Sequence, residues 1–306
     1  MSFHNRHFIN FINSKQDDIL FLFDKADKLA PHYKYQNKNA CLLFFEPSTR
    51  TQISFDLAVR DCGMQSVTFN PESSSLKKGE TVLDTLLNLE AMGFDLFIIR
   101  HGYPDENLKD LSAHINAPII NAGEGMSGHP TQALLDCYTI SKERKNLKGE
   151  KVLFVGDIKH SRVVQSNIEL MKILGIEVAL CAPEGFLPLK GKYDGIKIFD
   201  KLEEGMEWAT VLMSLRTQFE RHEEFGNGIQ SYAKLKENFV KNYSITEQRL
   251  KNWKKDGIIM HPGPFNRGIE IQSEILDDPR NCIFKQVENG RKIRRALIDS
   301  IIGDGR

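Results

Sequence analysis

Residues 40–51 read ACLLFFEPSTRT, an apolar run that passes directly into polar residues. The apolar residues 40–45 have the length and composition of a buried β-strand, and an amphipathic stretch begins at Thr51. The segment Ser48–Thr51 therefore stands where a strand ends and a helix begins. Its hydroxyls, its guanidinium and the backbone N–H groups of a helix start suit a multiply charged oxyanion, most simply a phosphate. An ordinary helix N-cap is the alternative, although capping does not require Arg50.

Strand-like and helix-like segments alternate through the first 140 residues. Short apolar runs predict strands at 40–45, 65–69, 96–99 and 118–121. Helical periodicity predicts helices at 11–29, 51–62, 81–92, 105–113 and 130–142. A polar loop is expected at 70–79 and a glycine-rich loop at 122–128.

A second alternating series follows the charged stretch 141–150, and a domain boundary is expected near 140–150. Its predicted strands are 151–155, 177–182, 196–199, 210–214 and 257–260. Its predicted helices are 161–174, 228–241 and 286–302. Strands that alternate with helices form βαβ units with parallel sheets. The pattern therefore predicts an α/β protein of two domains, each a parallel β-sheet flanked by helices.

The composition excludes several classes of protein. The 306 residues are 41% hydrophobic, enough for two sizeable cores, and Lys+Arg and Asp+Glu are both 41, so no global basic field attracts nucleic acid. The five cysteines include no C-x-x-C pair, which favours a reducing, cytoplasmic location without disulfides. Cys41, Cys137 and Cys181 lie in apolar stretches and are predicted core residues. No apolar run approaches membrane-spanning length, and the first 18 residues lack the apolar core of a signal peptide.

Further polar residues follow the predicted strands, where open parallel sheets bind their ligands. Arg100 directly follows the strand 96–99, although taken alone it is best explained as a surface charge. His129 and Gln132 lie three residues apart at the start of the helix 130–142 and can share a face. A neutral histidine can donate to a carbonyl oxygen, and a glutamine can donate and accept. The pair therefore favours a ligand over a capped helix behind a flexible loop.

Two arginines of the second series are candidates for binding carboxylates. Residues 156–162 follow the strand 151–155, but the spacing G-x-G-x-x-G is missing, so a dinucleotide site is unsupported. Arg162 near a helix start could instead bind a carboxylate. Arg216 and Gln218, which follow the strand 210–214, offer a second fork for a carboxylate.

Two loops have both a functional and an ordinary explanation. The turn 261–264 contains two prolines, which fix its geometry. The carbonyls of Gly263 and Pro264 would suit an –NH2 donor, and the alternative is a simple turn. The loop 73–80 carries Lys78, which could reach a neighbouring subunit, and the alternative is a solvated surface loop.

The candidate residues together predict one kind of chemistry. They comprise several anion-binding side chains, one histidine that can polarise a carbonyl, and rigid carbonyl acceptors. The sequence lacks a metal-ligand cluster, a Ser-His-Asp arrangement and a G-x-x-x-x-G-K-[ST] loop. This set predicts group transfer from a small phosphorylated compound to a small acid, with no cofactor and no metal.

Three motifs make the chain resemble the aspartate/ornithine carbamoyltransferase family over nearly its whole length. Ser48–Thr51 matches the family's Ser-Thr-Arg-Thr signature, and His129–Gln132 matches its histidine-proline-x-glutamine signature. Lys77–Thr81 matches the loop that, in this family, enters the active site of the neighbouring subunit. Each motif alone is moderately specific, whereas their order and separations make the combination very specific.

Within this family the chain resembles the aspartate type more than the ornithine type. Ornithine enzymes carry histidine-cysteine-leucine-proline where this chain has 261–264, with no cysteine. Arg162 and Arg216 suit a dicarboxylate and would repel the ammonium group of ornithine. Residues 123–128 differ from the family's commoner sequence, and residues 265–270 match one branch of the family. These differences concern the subtype more than the reaction. An ornithine-type carbamoyltransferase and a catalytically silent scaffold homologue remain the alternatives.

The resemblance implies a domain organisation and partners. A carbamoyl phosphate-binding domain would comprise 1–140 and a C-terminal helix at about 286–306. An aspartate-binding domain would comprise 141–285, with interdomain helices linking the two. A homotrimer with active sites shared between subunits is expected, and a regulatory chain or a dihydroorotase are candidate further partners.

The resemblance also implies roles for individual residues. The carbamoyl phosphate-binding residues would be Ser48, Thr49, Arg50, Thr51, Arg100, His129, Gln132, Gly263 and Pro264. The aspartate-binding residues would be Lys78, Arg162, Arg216 and Gln218. The loop serving the adjacent subunit would carry Ser74 and Lys78. The catalytic residues would be Arg50, Thr51, Lys78, Arg100 and His129.

Overall fold

The computed structural model describes residues 3, 6–74, 78–102, 106–125, 128–189, 191–218 and 229–303. Lys77, Met126, Ser127 and Gly228, which belong to predicted motifs or elements, lie outside these ranges. The β-strands are β1 Asn39–Phe44, β2 Gln65–Phe69, β3 Leu96–His101, β4 Ile119–Glu124, β5 Lys151–Val155, β6 Glu177–Cys181, β7 Lys197–Phe199, β8 Val211–Ser214 and β9 Ile258–Met260. The α-helices are α1 Gln16–Lys28, α2 Thr49–Asp61, α3 Val82–Ala91, α4 Leu108–Ser112, α5 Pro130–Glu143, α6 Arg162–Leu174, α7 Leu202–Trp208, α8 Ile229–Tyr243, α9 Glu247–Leu250 and α10 Ile283–Ile302.

The strands form two parallel sheets, which confirms the predicted fold class. The first sheet has the order β2-β1-β3-β4 and the second has the order β7-β6-β5-β8-β9. Each predicted strand is present, and Ala40–Phe44 in β1 is buried on both faces, as expected of a central parallel strand. In the first sheet the chain leaves β1 toward β2 and then returns to β3 on the other side. The second sheet repeats this reversal around β5, with β6 on one side and β8 on the other.

Several element boundaries differ from the prediction for local reasons. The first helix begins at Gln16 rather than at 11, because Asn13 has a left-handed φ of 68° that interrupts it. Strand β4 continues to Glu124, through residues predicted as loop, and Gly123 within it has a φ of 124°. The last helix begins at Ile283 rather than 286. Helices α7 and α9 lie in segments for which no helix was predicted.

Each sheet has its own apolar core. In the first, Cys41, Leu43 and Phe97 pack in one buried cluster with side chains of α3 and α4. In the second, Leu153 and Leu212 pack in another cluster with side chains of α7. All five cysteines are buried and free, which confirms the prediction that Cys41, Cys137 and Cys181 are core residues. None of the described helices has the length and apolar composition that a membrane crossing requires.

The chain divides into two compact units. The first contains the chain up to Tyr138, Gln165–Leu170 and the chain from Glu288 onward, and the second contains Thr139–Val164 and Met171–Val287. The changes from one unit to the other fall within α5, α6 and α10. The assignment of one substrate to each unit remains a prediction.

Candidate active site

The segment Ser48–Thr51 lies at the reversal point of the first sheet. It follows β1 and opens α2, and strand β3 lies beside β1 at this edge. Ser48 occupies the N-cap position, but its side chain makes no cap hydrogen bond. Capping therefore does not account for its hydroxyl. The first-turn N–H groups of α2 have no acceptor within the helix, and the helix dipole adds positive potential there.

Arg100 reaches the same edge from β3. Its backbone carbonyl accepts from Phe45 N–H at 2.9 Å, which places it beside the end of β1. Its side chain is 14% exposed, with Nε 3.6 Å from Glu46 Oε2 and Nη1 donating to the Ala122 carbonyl at 3.4 Å. The Arg100 guanidinium is thus partly buried and lies beside an acidic side chain. The structure therefore disfavours the explanation that Arg100 is an ordinary solvent-exposed surface charge.

Arg50 differs from Arg100 in its exposure. It points from the first turn of α2 and is exposed to solvent. Desolvation by the surrounding protein lowers the pKa of Arg50, but a guanidinium remains charged at neutral pH. The two arginines therefore offer one exposed and one largely buried positive charge to an anion in this unit.

His129 and Gln132 lie at the start of α5, and Pro130 is the first residue of that helix, as predicted. Both side chains are almost fully buried. The His129 N–H donates to Ser166 Oγ at 2.9 Å, and the ring Nδ1 lies 3.5 Å from Thr131 Oγ1. The backbone and the ring of His129 are thus both held.

Ser74 and Lys78 lie on the loop that follows the 3₁₀ turn Pro71–Ser73. Ser74 donates from its N–H and its hydroxyl to the Pro71 carbonyl, at 3.3 and 2.8 Å. Lys78 is exposed to solvent. An exposed lysine on a loop fits both a solvated surface and delivery to another subunit.

Arg162 and the segment Arg216–Gln218 lie at the reversal point of the second sheet. Arg162 is the first residue of α6, and Arg216 follows β8, the strand beside β5. Gly156 allows this proximity, since its φ is 125° and an added Cβ would lie 2.6 Å from the Leu215 carbonyl oxygen. Both arginines are partly buried.

Gln218 is fixed to the loop that precedes Arg162. Its N–H donates to Asp157 Oδ2 at 3.2 Å, and its Nε2 donates to the His160 carbonyl at 2.9 Å. The His160 ring Nδ1 lies 3.0 Å from Asp157 Oδ1. Because the amide nitrogen of Gln218 is occupied, its amide oxygen is the atom it can present to a ligand.

Gly263 and Pro264 follow β9 and are joined by a cis peptide bond. The Gly263 N–H donates to His261 Nδ1 at 2.8 Å, and the His261 N–H donates to Gln286 Oε1 at 2.8 Å. Hydrogen bonds from the backbone N–H groups of His261 and Gly263 therefore hold the turn, in keeping with the predicted rigidity.

Glu270 is an important residue that the sequence did not reveal. It is fully buried and accepts four hydrogen bonds, two from Thr217 and two from Asn266. It thereby ties the segment that contains Arg216 to the loop after Gly263. Asp157 and Asp136 were missed as well, although Asp136 stands four residues after Gln132, a spacing that places two side chains on one helix face.

The structure thus groups the candidates into two sets, each of which contains side chains that can bind an anion. In the first unit, Ser48–Thr51, Arg100, His129 and Gln132 come from the ends of β1, β3 and β4. In the second, Arg162, Arg216, Gln218 and the Gly263–Pro264 turn come from the ends of β5, β8 and β9. Within the described ranges, no three His, Cys, Asp or Glu residues are grouped as a metal would need.

Parallel sheets whose strand ends carry arginines, hydroxyls and histidines are suited to an enzyme that transfers a group between anionic substrates. Two family models match the chain, the aspartate/ornithine carbamoyltransferase carbamoyl-P binding domain at residues 6–142 and the Asp/Orn binding domain at residues 148–301. The chain belongs to the aspartate/ornithine carbamoyltransferase family.

Relatives and solved structures of the aspartate type match over most of the chain. The aspartate carbamoyltransferase catalytic subunit of Helicobacter pylori strain G27 is 40% identical, with 98% of each chain covered. That of Desulfosudis oleivorans is 40% identical over 89% of this chain and 85% of its own. Aspartate transcarbamoylase from Trypanosoma cruzi, in complex with carbamoyl phosphate and aspartate, matches with a TM-score of 0.87, 29% identity and 98% coverage of both chains.

Proposed function

We propose that this protein transfers the carbamoyl group of carbamoyl phosphate to L-aspartate, giving N-carbamoyl-L-aspartate and phosphate, in de novo pyrimidine (UMP) biosynthesis. The relatives named as aspartate carbamoyltransferase catalytic subunits support this function. The observation that carries it is the presence of a distinct set of anion-binding residues at each of the two sheet reversal points. One set suits a phosphate beside a carbonyl, and the other suits a dicarboxylate.

Carbamoyl phosphate binds to the first unit in this proposal. The first turn of α2 and Arg100 hold the phosphate, since helix N-termini and guanidiniums both favour oxyanions. Thr51, Arg100 and His129 direct donors at the carbonyl oxygen, and Gln132 accepts from the amide. The Gly263 and Pro264 carbonyls are further acceptors for that amide.

L-Aspartate binds through its two carboxylates to Arg162 and Arg216, with Lys78 as a third cation and Gln218 assisting. Guanidiniums bind carboxylates through paired hydrogen bonds. Ornithine would bring an ammonium group to this place, which two arginines disfavour. The proposal is therefore specific for the aspartate reaction within the family.

The deprotonated amine of aspartate attacks the carbonyl carbon. The C–N bond forms as the bond from carbon to the phosphate oxygen breaks, and the amine loses a proton that the departing phosphate can accept. Arg100, Thr51 and His129 stabilise the negative charge that develops on the carbonyl oxygen, because fixed donors favour the transition state over the ground state. The scheme needs no covalent enzyme intermediate and no cofactor.

We also propose a homotrimer in which Ser74 and Lys78 complete the site of a neighbouring subunit, and a cytoplasmic location. The exposure of Lys78 supports the first point. Five buried, unpaired cysteines support the second, since oxidising compartments favour disulfides. A regulatory chain or a dihydroorotase would be an additional partner of such a trimer.

A bisubstrate analogue tests the proposed pair of substrates. A compound that joins a phosphonate to a dicarboxylate should bind tightly in isothermal calorimetry, because it engages both sets of residues at once. The matched control is the phosphonate joined to an ornithine skeleton. Weak binding of the first compound, with preference for the second, would contradict the aspartate assignment.

Hybrid trimers test the role of Lys78. Arg50→Ala and Lys78→Ala are each expected to be nearly inactive, and mixed trimers of the two should recover activity because some sites then contain neither substitution. Trimers reassembled from Lys78→Ala alone are the control. Absence of recovery in trimers shown by native mass spectrometry to be mixed would contradict shared sites.

A further inference from the structure

Gln132 belongs to a buried polar network in the first unit. Its Nε2 donates to Asp136 Oδ1 at 2.9 Å, one turn further along α5. The other oxygen of Asp136 accepts from Asn167 Nδ2 on α6, also at 2.9 Å. Asp136 and Asn167 are completely buried. Each carboxylate oxygen of Asp136 is therefore bonded to a side-chain amide.

Arg294 supplies the opposite charge to this network. It is 4% exposed and lies on α10, with its guanidinium 4.8 Å from the ring centroid of Phe55. Burial lowers the pKa of Arg294 to about 10, and the charge of Asp136 opposes that shift. Arg294 therefore remains cationic at neutral pH, and its attraction to the Asp136 carboxylate reduces the cost of burying both charges.

The network determines which atom Gln132 presents. A carboxylate only accepts hydrogen bonds, so the atom of Gln132 that faces Asp136 must be the –NH2 group. The amide oxygen then points away from Asp136. Without this anchor the carboxamide could turn over and present a donor instead, since its two ends are similar in shape.

We propose that Asp136 is a positioning residue that orients the Gln132 carboxamide so that its oxygen accepts from the –NH2 of the carbamoyl group. The inference rests on the proposed function and deepens it. In this inference the enzyme selects a carbamoyl group over an acyl group of the same size, and the residues responsible for that selection are Asp136, Asn167 and Arg294. An acyl group carries a methyl in place of –NH2 and leaves the Gln132 oxygen unpaired, which costs binding.

The neighbouring contact on α6 supports this role. Ser166 accepts from the His129 N–H at 2.9 Å, while Asn167, the next residue, bonds Asp136. An added Cβ at Gly128 would lie 2.7 Å from Ser166 Oγ, so the chain approaches α6 closely just before His129. One turn of α6 therefore fixes both members of the His129–Gln132 pair.

The test compares carbamoyl phosphate with acetyl phosphate, each with L-aspartate, by the rate of phosphate release. The measured quantity is the ratio of kcat/KM for the two donors in wild-type protein and in Asp136→Ala. We expect the ratio to fall about tenfold in the variant, the value of about one hydrogen bond. An unchanged ratio in a folded variant would overturn the proposal, since a merely structural residue lowers both rates alike.

Two further variants make the result decisive. Asp136→Leu with Arg294→Met removes both buried charges, a replacement that proteins often tolerate, and should show the same fall if Asp136→Ala does not fold. Asp299→Asn is the matched control, because it neutralises another largely buried carboxylate, which contacts Lys25 and His32. It should lower the melting temperature and keep the ratio of kcat/KM for the two donors.

The failure of each proposal can be told apart. Wild-type protein that carbamoylates no aspartate would refute the proposed function. Active wild-type protein whose donor ratio is the same in the Asp136 variants would refute only this inference.

Discussion

Replacing Glu270 by glutamine should weaken aspartate binding without touching a substrate-binding residue. Glu270 Oε1 accepts from Thr217 N–H at 2.8 Å, from Thr217 Oγ1 at 2.5 Å and from Asn266 Nδ2 at 2.9 Å. Its Oε2 accepts from Asn266 N–H at 2.6 Å. The best placement of glutamine keeps its oxygen at the Oε1 position, so its –NH2 group then faces the Asn266 N–H, donor against donor.

The cost follows from these contacts. One buried hydrogen bond to a charged acceptor is lost, worth about 1.5–3 kcal/mol, and three others lose their charge assistance. Because contributions within one network are not additive, we expect a loss of about 3 kcal/mol in the free energy of unfolding of the second unit. Thr217 stands between Arg216 and Gln218, so the looser segment should raise the KM for aspartate about tenfold, equivalent to about 1.4 kcal/mol.

The assay is steady-state kinetics with a urea melt of each variant. Inhibition by inorganic phosphate should be unchanged, since the proposed phosphate residues belong to the first unit. Glu203→Gln is the matched control in the second unit. The Glu203 side chain is 62% exposed, and within the described residues its one ion pair is with Arg249. An aspartate KM for Glu270→Gln within twofold of wild type would show that Glu270 does not support the aspartate-binding segment.

Three further predictions concern charges and thiols. Arg50→Ala should lower kcat/KM for carbamoyl phosphate at least 100-fold, and Arg60→Ala, on the exposed end of the same helix, should change it less than twofold; equal effects in steady-state assays would contradict a specific role for Arg50. Burial raises the pKa of Asp61, but hydrogen bonds and charge from Arg291 and Arg295 outweigh it and hold the pKa below its ordinary value. This stabilisation is present above the unfolded pKa and is lost as pH falls through the folded one, so Asp61→Asn should flatten the acid limb of stability measured in urea melts between about pH 5 and 2. Burial raises the pKa of Cys41 and Cys62 to about 12, so both should resist iodoacetamide at pH 7.5 until the protein is unfolded, as read by mass spectrometry.

The sequence predicted what is local in the chain. Runs such as 40–45 are apolar throughout, and a parallel strand buried on both faces needs that composition. Strand ends are where such sheets place ligands, so Ser48–Thr51, Arg100 and Arg216 could be singled out before their neighbours were known. Their individual roles in binding remain predictions.

What could not be predicted depends on distant contacts or on single backbone angles. Glu270 meets Thr217 only after β8 and β9 pair, and nothing in the sequence around Glu270 indicates that contact. The late start of the first helix depends on the left-handed Asn13, one of the few residue types that tolerate such an angle. Strand β4 runs through a segment whose glycines suggested a loop, because pairing with β3 extends to Glu124.

One competition assay shows directly whether L-aspartate or L-ornithine accepts the carbamoyl group. Purified protein, carbamoyl phosphate and equal concentrations of L-aspartate and L-ornithine are incubated, and the carbamoylated products are separated and quantified together with phosphate. We expect N-carbamoyl-L-aspartate in one-to-one ratio with enzyme-dependent phosphate release, with citrulline at background level. Citrulline as the main product, or no product above the uncatalysed reaction, would contradict the proposed function.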